Sequence, residues 1–135
     1  MIADLNVKEA LKVTPQQMFI TNCSACHQAT GKGIPGAFPP LDGSPYVRSD
    51  NVERLAAIMV YGLQGPIKVL GKDYNGVMAP LGATCDDQTL ADIATYVRSS
   101  WSNKASKVTA DVIANARKKY GSRSMFNIDE LGREE

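Results

Sequence analysis

Residues 29–47 constrain the fold most, because these 19 positions hold four glycines and four prolines. Proline lacks a backbone N–H and glycine weakens regular structure, so "ATGKGIPGAFPPLDGSPYV" is predicted to form neither helix nor strand. A structureless loop of this length is uncommon in a compact domain unless it has a role such as enclosing a ligand. The segments on either side of the loop must therefore supply the regular structure.

A helix is predicted on each side of this loop. Thr14 is suited to the N-cap and Pro15 to the first turn of a helix that continues into residues 22–27. After the loop, "NVERLAAIMVYG" has apolar residues at helical spacing, and Gly62 or Gly65 provides a C-terminal signal. The apolar stripe comprises Val52, Leu55, Ala56, Met59 and Val60.

Two more helices are predicted in the second half of the chain. "TCDDQTLADIATYVRSSW" has the most regular pattern, and Thr84 with Asp87 resembles a capping box. The last helix covers about residues 110–120, between Thr109 and Gly121. The tail that follows is too apolar for a purely solvated end, so we expect it to pack along the domain or onto a partner subunit. Its apolar residues are Met125, Phe126, Ile128 and Leu131.

The remaining stretch, "PIKVLGKDYNGVMAPLGA", is predicted to be a second loop. No alternation of apolar and polar residues persists anywhere in the chain, which argues against strands. The expected fold class is therefore all-α, with short helices and long Gly/Pro loops. The chain has 135 residues, enough for one domain or one domain with a tail.

Charge and hydropathy exclude several classes of protein. A formal net charge of +1 gives no strong steering toward nucleic acid. No run approaches the roughly 20 apolar residues that a membrane span requires. The start "MIADLNVKEALK" lacks the basic and apolar regions of a signal peptide. We therefore expect that an export signal has been replaced by the starting Met, or that the sequence was cut from a longer chain.

Cys23, Cys26 and His27 form a Cys-x-x-Cys-His motif, the attachment signature of c-type haem. Two thiols three residues apart on a turn of helix project to one side, where they can add to the two vinyl groups on one edge of a porphyrin. The next residue then lies under the ring, where its imidazole can bind iron from one face. His27 is the chain's only histidine, and the motif predicts that it is the proximal iron ligand.

Three other interpretations of the motif are open. A zinc site needs four nitrogen or sulfur ligands, for which the distant Cys85 would have to join Cys23, Cys26 and His27. A thioredoxin-like redox pair needs a βαβ setting, which the sequence lacks. A disulfide between Cys23 and Cys26 would be strained and would leave His27 unexplained. Cys85 itself is predicted to be an inert thiol, with intermolecular pairing as the alternative.

A haem iron in an electron carrier needs a sixth ligand, and methionine opposite histidine raises the reduction potential. Met78 lies in the Gly/Pro-flanked "YNGVMAPLG", 51 residues after His27 and just before the most regular helix. Such a loop can fold over the far face of the ring. Met59 lies on an apolar helix stripe, where core packing is favoured. Met78 is therefore the predicted sixth ligand.

Residues 14–101 resemble a class I monohaem cytochrome c. Phe19 lies four residues before Cys23, as the aromatic of the family's N-terminal helix does, and Tyr96 matches the aromatic of its C-terminal helix. Pro39 matches the family proline whose carbonyl accepts a hydrogen bond from the ligand histidine. Leu41 follows in the position of a haem-packing leucine.

This resemblance implies a cytochrome c fold around one covalently bound haem c, after an N-terminal lead of residues 1–13 and before a C-terminal helical extension of residues 102–135. It implies a one-electron carrier and not an enzyme. Two alternatives are a haem domain with an open sixth site, such as a peroxidase or gas sensor, and the electron-entry domain of a larger oxidoreductase. Tyr46, Arg48 and Trp101 are candidate donors to the haem propionates by residue type.

The phrases "GIPGAFPPLDGSPYV", "VYGLQGPI" and "YVRSSW" resemble a bacterial subgroup of this class. Its members are often subunits or domains of quinoprotein dehydrogenases, copper nitrite reductases or haem-copper oxidases. The resemblance implies redox-protein partners such as a dehydrogenase, a reductase or a terminal oxidase. Because haem is normally attached covalently outside the cytoplasmic membrane, it also implies a periplasmic or extracytoplasmic location, within a respiratory chain.

Overall fold

The computed structural model describes residues 13–134, so all but the last residue of the expected N-terminal lead lies outside the described residues. Within this range, no helix is both long and apolar enough to cross a membrane. The elements, in chain order, are α1 Pro15–Asn22, α2 Ser24–His27, α3 Pro45–Arg48, α4 Val52–Tyr61, β1 Leu63–Val69, β2 Lys72–Met78, α5 Asp87–Ser99, α6 Ala110–Tyr120 and α7 Ile128–Leu131.

The ends of α1 and α4 confirm the predictions made from local signals. Thr14 Oγ1 accepts a hydrogen bond from Gln17 N at 3.2 Å, and the Gln17 side chain accepts one from Thr14 N at 2.9 Å. Pro15 occupies the first turn of α1. Helix α4 ends at Gly62, whose φ of 82° favours glycine.

The N-terminus of α5 differs from the prediction, whereas α6 matches it. The side chain of Asp86 caps α5 by accepting a hydrogen bond from Thr89 N at 2.8 Å. The proposed capping box of Thr84 and Asp87 is therefore wrong, since Asp87 is already the first helical residue. Helix α6 follows Thr109 and ends before Gly121, as the sequence predicted.

The prediction of an all-α fold is wrong, because residues 63–78 form an antiparallel β-hairpin and not a loop. The register pairs Leu63 with Met78 and Val69 with Lys72. At the tip, Leu70 and Gly71 have φ of 51° and 79°. Two consecutive positive φ angles match the twist of flanking strands, which lets so short a turn close the hairpin.

The hydrophobic core lies between α1, α4, α5 and α6. Phe19 is fully buried, with its ring centroid 5.5 Å from that of Tyr96 and 5.4 Å from that of Trp101. This contact joins α1 to α5, as the resemblance implied. Leu90 and Ile113 are also fully buried, and their helices α5 and α6 pack against each other.

The segment after Trp101 packs along the domain, one of the two expectations for it. Tyr61 Oη donates a hydrogen bond to Gly121 O at 2.5 Å. Phe126 is 1% exposed and forms a parallel bridge with Leu63, where Gln64 N donates to Phe126 O at 2.9 Å. Phe126 N in turn donates to Gly62 O at 3.2 Å. The tail thus pairs with β1 of the hairpin through a single parallel β-bridge.

Candidate functional site

A largely apolar cavity of about 340 Å³ lies between the hairpin, α4, α5 and the Gly/Pro-rich loop. Cys23, Cys26 and His27 line it from one side and Met78 lines it as well. The three side chains of the motif and Met78, which is 51 residues farther along the chain, therefore meet at one space. The rest of the wall includes Phe38, Pro39, Leu41, Tyr46, Leu55, Ile58, Met59, Leu63, Ile67, Val69, Tyr74, Ile93 and Val97.

The motif folds as one short helical turn that follows α1. Cys23 ends α1 and is the N-cap of α2, and His27 N donates a hydrogen bond to Cys23 O at 2.9 Å. Gln28 then ends the turn with a φ of 65°. This geometry places both thiols and the imidazole on the cavity.

The His27 side chain is oriented by the loop. Its Nδ1 lies 2.8 Å from Pro39 O. A carbonyl oxygen can only accept, so Nδ1 carries the proton and Nε2 keeps its lone pair. Burial lowers the pKa of His27, and the hydrogen bond to Pro39 opposes this shift. The imidazole is thereby held neutral, which is the form that binds a metal ion.

Gly33 explains how the loop brings the Pro39 carbonyl to His27. Gly33 has a φ of 66°, and its N donates to His27 O at 2.9 Å. A Cβ at this position would lie 2.3 Å from Phe38 O and 2.7 Å from Pro39 O. Only glycine lets the two ends of this loop approach so closely. Gly33 was not among the residues predicted from sequence, although "GKG" at residues 31–33, shortly after the motif, is the signal.

Met78 is the last residue of β2, and its backbone rests against Gly62. A Cβ on Gly62 would lie 2.5 Å from Met78 O and 3.0 Å from Pro80 N. The pairing of Met78 with Leu63 fixes it from the other side. Met78 therefore lies at the end of a β-hairpin, and not in the loop that the sequence predicted.

Among the described residues, Cys23, Cys26 and Cys85 form no disulfide with one another. Burial raises the pKa of the Cys23 thiol to about 11, with smaller contributions from Cys85 and Cys26. The reactive thiol of a catalytic thiol–disulfide pair usually has a lowered pKa, and the shift at Cys23 is in the opposite direction. Among residues 13–134, no group of three or more His, Cys, Asp or Glu side chains is arranged to hold a metal ion.

The three candidate propionate donors have different surroundings. Tyr46 is buried and lines the cavity. Trp101 Nε1 donates to Ala29 O at 3.1 Å, and Arg48 is exposed; neither residue is part of the cavity wall in the described range. Arg54 was not among the residues predicted from sequence; it is 4% exposed, with its guanidinium 4.9 Å from the Tyr46 ring centroid. The available signal was an arginine within the mostly apolar helix α4.

A match to a protein family identifies the kind of protein in which this cavity lies. The family model for cytochrome c matches residues 14–101. The chain belongs to the cytochrome c family. It therefore carries one covalently bound haem c and takes part in haem-based electron transfer.

Relatives in this family are of two kinds. Cytochrome c-552 of Thermus thermophilus is 34% identical to this chain, in a match that covers 73% of this chain and 91% of that protein. The cytochrome c subunit of the quinone alcohol dehydrogenase of Gluconobacter oxydans is 31% identical over 90 residues. That match covers 66% of this chain and 18% of the subunit. The fructose dehydrogenase cytochrome subunit of Gluconobacter japonicus is 30% identical, covering 70% of this chain and 20% of that subunit.

The residues of this cytochrome c cavity fit a haem c. Two thiols, an imidazole with a free Nε2 lone pair and a thioether line one apolar space. Beside its wall, the Arg54 Nε is buried and has no hydrogen-bond partner within the described part of the chain. The rest of this guanidinium is already paired, since Nη2 lies 2.5 Å from Glu134 Oε1 and Nη1 donates to Gly132 O at 2.9 Å, so only its Nε N–H is available to a cofactor that carries carboxylates.

Proposed function

We propose that this protein is a one-electron carrier in which Cys23 and Cys26 would hold the haem through thioether bonds and His27 and Met78 would bind its iron. When bound there, the haem would supply one-electron chemistry between the ferrous and ferric states of its iron. The observation that carries the proposal is that all four side chains line the same cavity. Residues 14–101 then form the electron-carrying domain, and residues 102–134 are an extension packed on it.

The side chains and backbone around the cavity suit it to electron transfer, in which no bond is made or broken. Pro39 orients His27 through the 2.8 Å hydrogen bond to Nδ1 and raises the basicity of the imidazole. The apolar wall, which includes Leu41, Ile58 and Val97, excludes water. If His27 and Met78 both bind the iron, the protein itself would take the sites where a substrate could bind to it. We therefore propose a carrier and not an enzyme.

Location and partners follow from the same proposal. Haem is normally attached covalently outside the cytoplasmic membrane, so we place the protein in the periplasm or on the extracytoplasmic face of a membrane, within a respiratory chain. Its partners are redox proteins such as a dehydrogenase, a reductase or a terminal oxidase. The dehydrogenase option is supported by the cytochrome subunits among its relatives. The chain spans about a fifth of those subunits, so a role as the electron-entry domain of a larger oxidoreductase is the alternative.

The test compares the two methionines of the cavity wall. Met59 also lines the cavity, on α4, and is 4% exposed, so Met59→Leu is the matched control for Met78→Leu. We expect the wild-type holoprotein to keep its haem after denaturation, to show the sulfur-to-iron charge-transfer band when oxidised, and to resist carbon monoxide when reduced.

Met78→Leu should abolish the band, lower the reduction potential and open the reduced iron to carbon monoxide, whereas Met59→Leu should change none of these. Loss of the band in Met59→Leu alone would assign the sixth ligand to Met59. A wild-type protein that binds carbon monoxide as readily as Met78→Leu would instead favour an open site, as in a peroxidase or gas sensor.

A further inference from the structure

Arg117 lies on α6, in the extension that follows Trp101, and yet its guanidinium reaches the segment directly after Met78. Its Nη1 donates to Gly82 O at 2.8 Å and its Nη2 donates to Cys85 O at 2.8 Å. Its Nε donates to the Asp87 carboxylate at 2.6 Å. Three of its N–H groups thus bind three points on six consecutive residues. This fork uses the fixed planar geometry that distinguishes arginine from lysine.

The same segment is fixed to α4 on its inner side. Leu81 N donates to Met59 O at 2.9 Å, and Gly82 N donates to Val60 O at 3.0 Å. A Cβ on Gly82 would lie 2.8 Å from Val60 O and 3.2 Å from Arg117 Nη1. Gly82 is therefore enclosed between α4 and the guanidinium of α6.

Only three residues separate Met78 from Gly82, so the position of Gly82 limits how far the Met78 backbone can move. Toward the N-terminus, Met78 is paired with Leu63 in the hairpin. Toward the C-terminus, residues 79–86 adopt no helix or strand, and their hydrogen bonds to α4 and Arg117 hold them in place. A neutral thioether binds iron without the help of charge, so its ligation depends on the protein holding it in position.

We propose that Arg117 is a positioning residue for Met78, holding residues 79–86 so that the thioether stays on the iron. The inference rests on the proposed function, since it takes Met78 as the sixth ligand. It gives the C-terminal extension a role in the electron-transfer site, although α6 itself is not part of the cavity wall among the described residues.

The test uses Arg117→Gln, Arg117→Lys and a matched control on the same helix. Lys119 Nζ lies 3.0 Å from Glu53 Oε2, so Lys119→Gln also removes an ion pair between α6 and α4 but does not touch residues 79–86. In oxidised holoprotein, the sulfur-to-iron charge-transfer band and the far-ultraviolet circular dichroism are followed together on heating. The first reports Met78 on the iron, and the second reports the helices.

We expect the wild type and Lys119→Gln to lose both signals together. Arg117→Gln should lose the band well before the helices unfold, with about a tenfold or greater increase in the Met-detached form at temperatures where the fold is intact. Arg117→Lys keeps the positive charge but cannot make all three guanidinium hydrogen bonds. Its fraction of the Met-detached form should therefore lie between those of the wild type and Arg117→Gln. If band and helices melt together in both Arg117 variants, Arg117 only docks α6, and the inference is wrong while the proposed function stands. If the wild type shows no band at any temperature, the proposed function fails and the inference fails with it.

Discussion

Replacing Gly62 with alanine should destabilise the protein and disturb Met78, because the added methyl group would meet the backbone of residues 78–80. It would lie 2.5 Å from Met78 O, 3.0 Å from Pro80 N and 3.3 Å from Ala79 C. No side-chain rotation can relieve these contacts. The chain after β2 would have to move away from α4, and this is the stretch that holds the proposed ligand.

The expected loss in the free energy of unfolding is the sum of two separate costs, one of backbone strain and one of overpacking. Gly62 has φ 82° and ψ 172°, a conformation that costs a residue with a side chain about 1–3 kcal/mol. Overpacking against fixed neighbours adds about 1–3 kcal/mol. Gly62→Ala should therefore lower the free energy of unfolding by about 2–6 kcal/mol.

Gly121 provides a control for the first cost alone. It is also the C-cap of a helix and follows a tyrosine, with φ 65° and ψ −140°, but nothing lies within 4 Å of a Cβ built on it. Gly121→Ala should cost about 1–3 kcal/mol and leave the Met78 site unchanged.

The assay is denaturant unfolding of both holoproteins, with the sulfur-to-iron band recorded in each before denaturant is added. We expect Gly62→Ala to be less stable than Gly121→Ala and to show a weakened band. If the two variants are equally stable and both keep an intact band, then the close approach of Gly62 to the Met78 backbone does not hold Met78 in position.

Two further predictions concern other buried contacts. Gly33→Ala should push the Pro39 carbonyl away from the ligand imidazole and make the imidazole less basic, which raises the reduction potential; an unchanged potential in a potentiometric titration would contradict this. Arg98 is 0% exposed and donates four hydrogen bonds, three of them to backbone carbonyls, so Arg98→Met should lower the free energy of unfolding in urea by about 3–5 kcal/mol. A loss below about 1 kcal/mol would show that the buried carbonyls find other donors.

The features that could be predicted from sequence are those set by neighbouring residues. The capping interactions of Thr14 and the end of α6 at Gly121 depend on side chains within one turn. The attachment motif is likewise local, since its spacing alone places two thiols and an imidazole on one side. The hydrogen bond between His27 and Pro39 joins residues twelve positions apart. It was predicted from the family resemblance and not from any local pattern.

The hairpin was missed because its sequence lacks the usual signals. In β1 the half-buried and buried positions do alternate with exposed ones, but Gly65 takes one inward place and Pro66 an outward one, which together look like a loop. The turn uses Leu70 at positive φ, where asparagine or glycine is usual. The proposed role of Arg117 could not be predicted either, because its partners lie thirty to thirty-five positions earlier and only the tertiary fold brings them together.

The bridge between Leu63 and Phe126 has a practical consequence for shortened versions of the protein. The tail occupies the outer side of β1 through the Gln64 and Gly62 backbone groups. In a version that stops before Phe126, those backbone groups would be unpaired at the edge of the sheet. The apolar site that the Phe126 ring fills would also be exposed beside them. Exposed margins of this kind recruit strands from other molecules. An excised electron-carrying domain would therefore tend to self-associate, even with its haem in place.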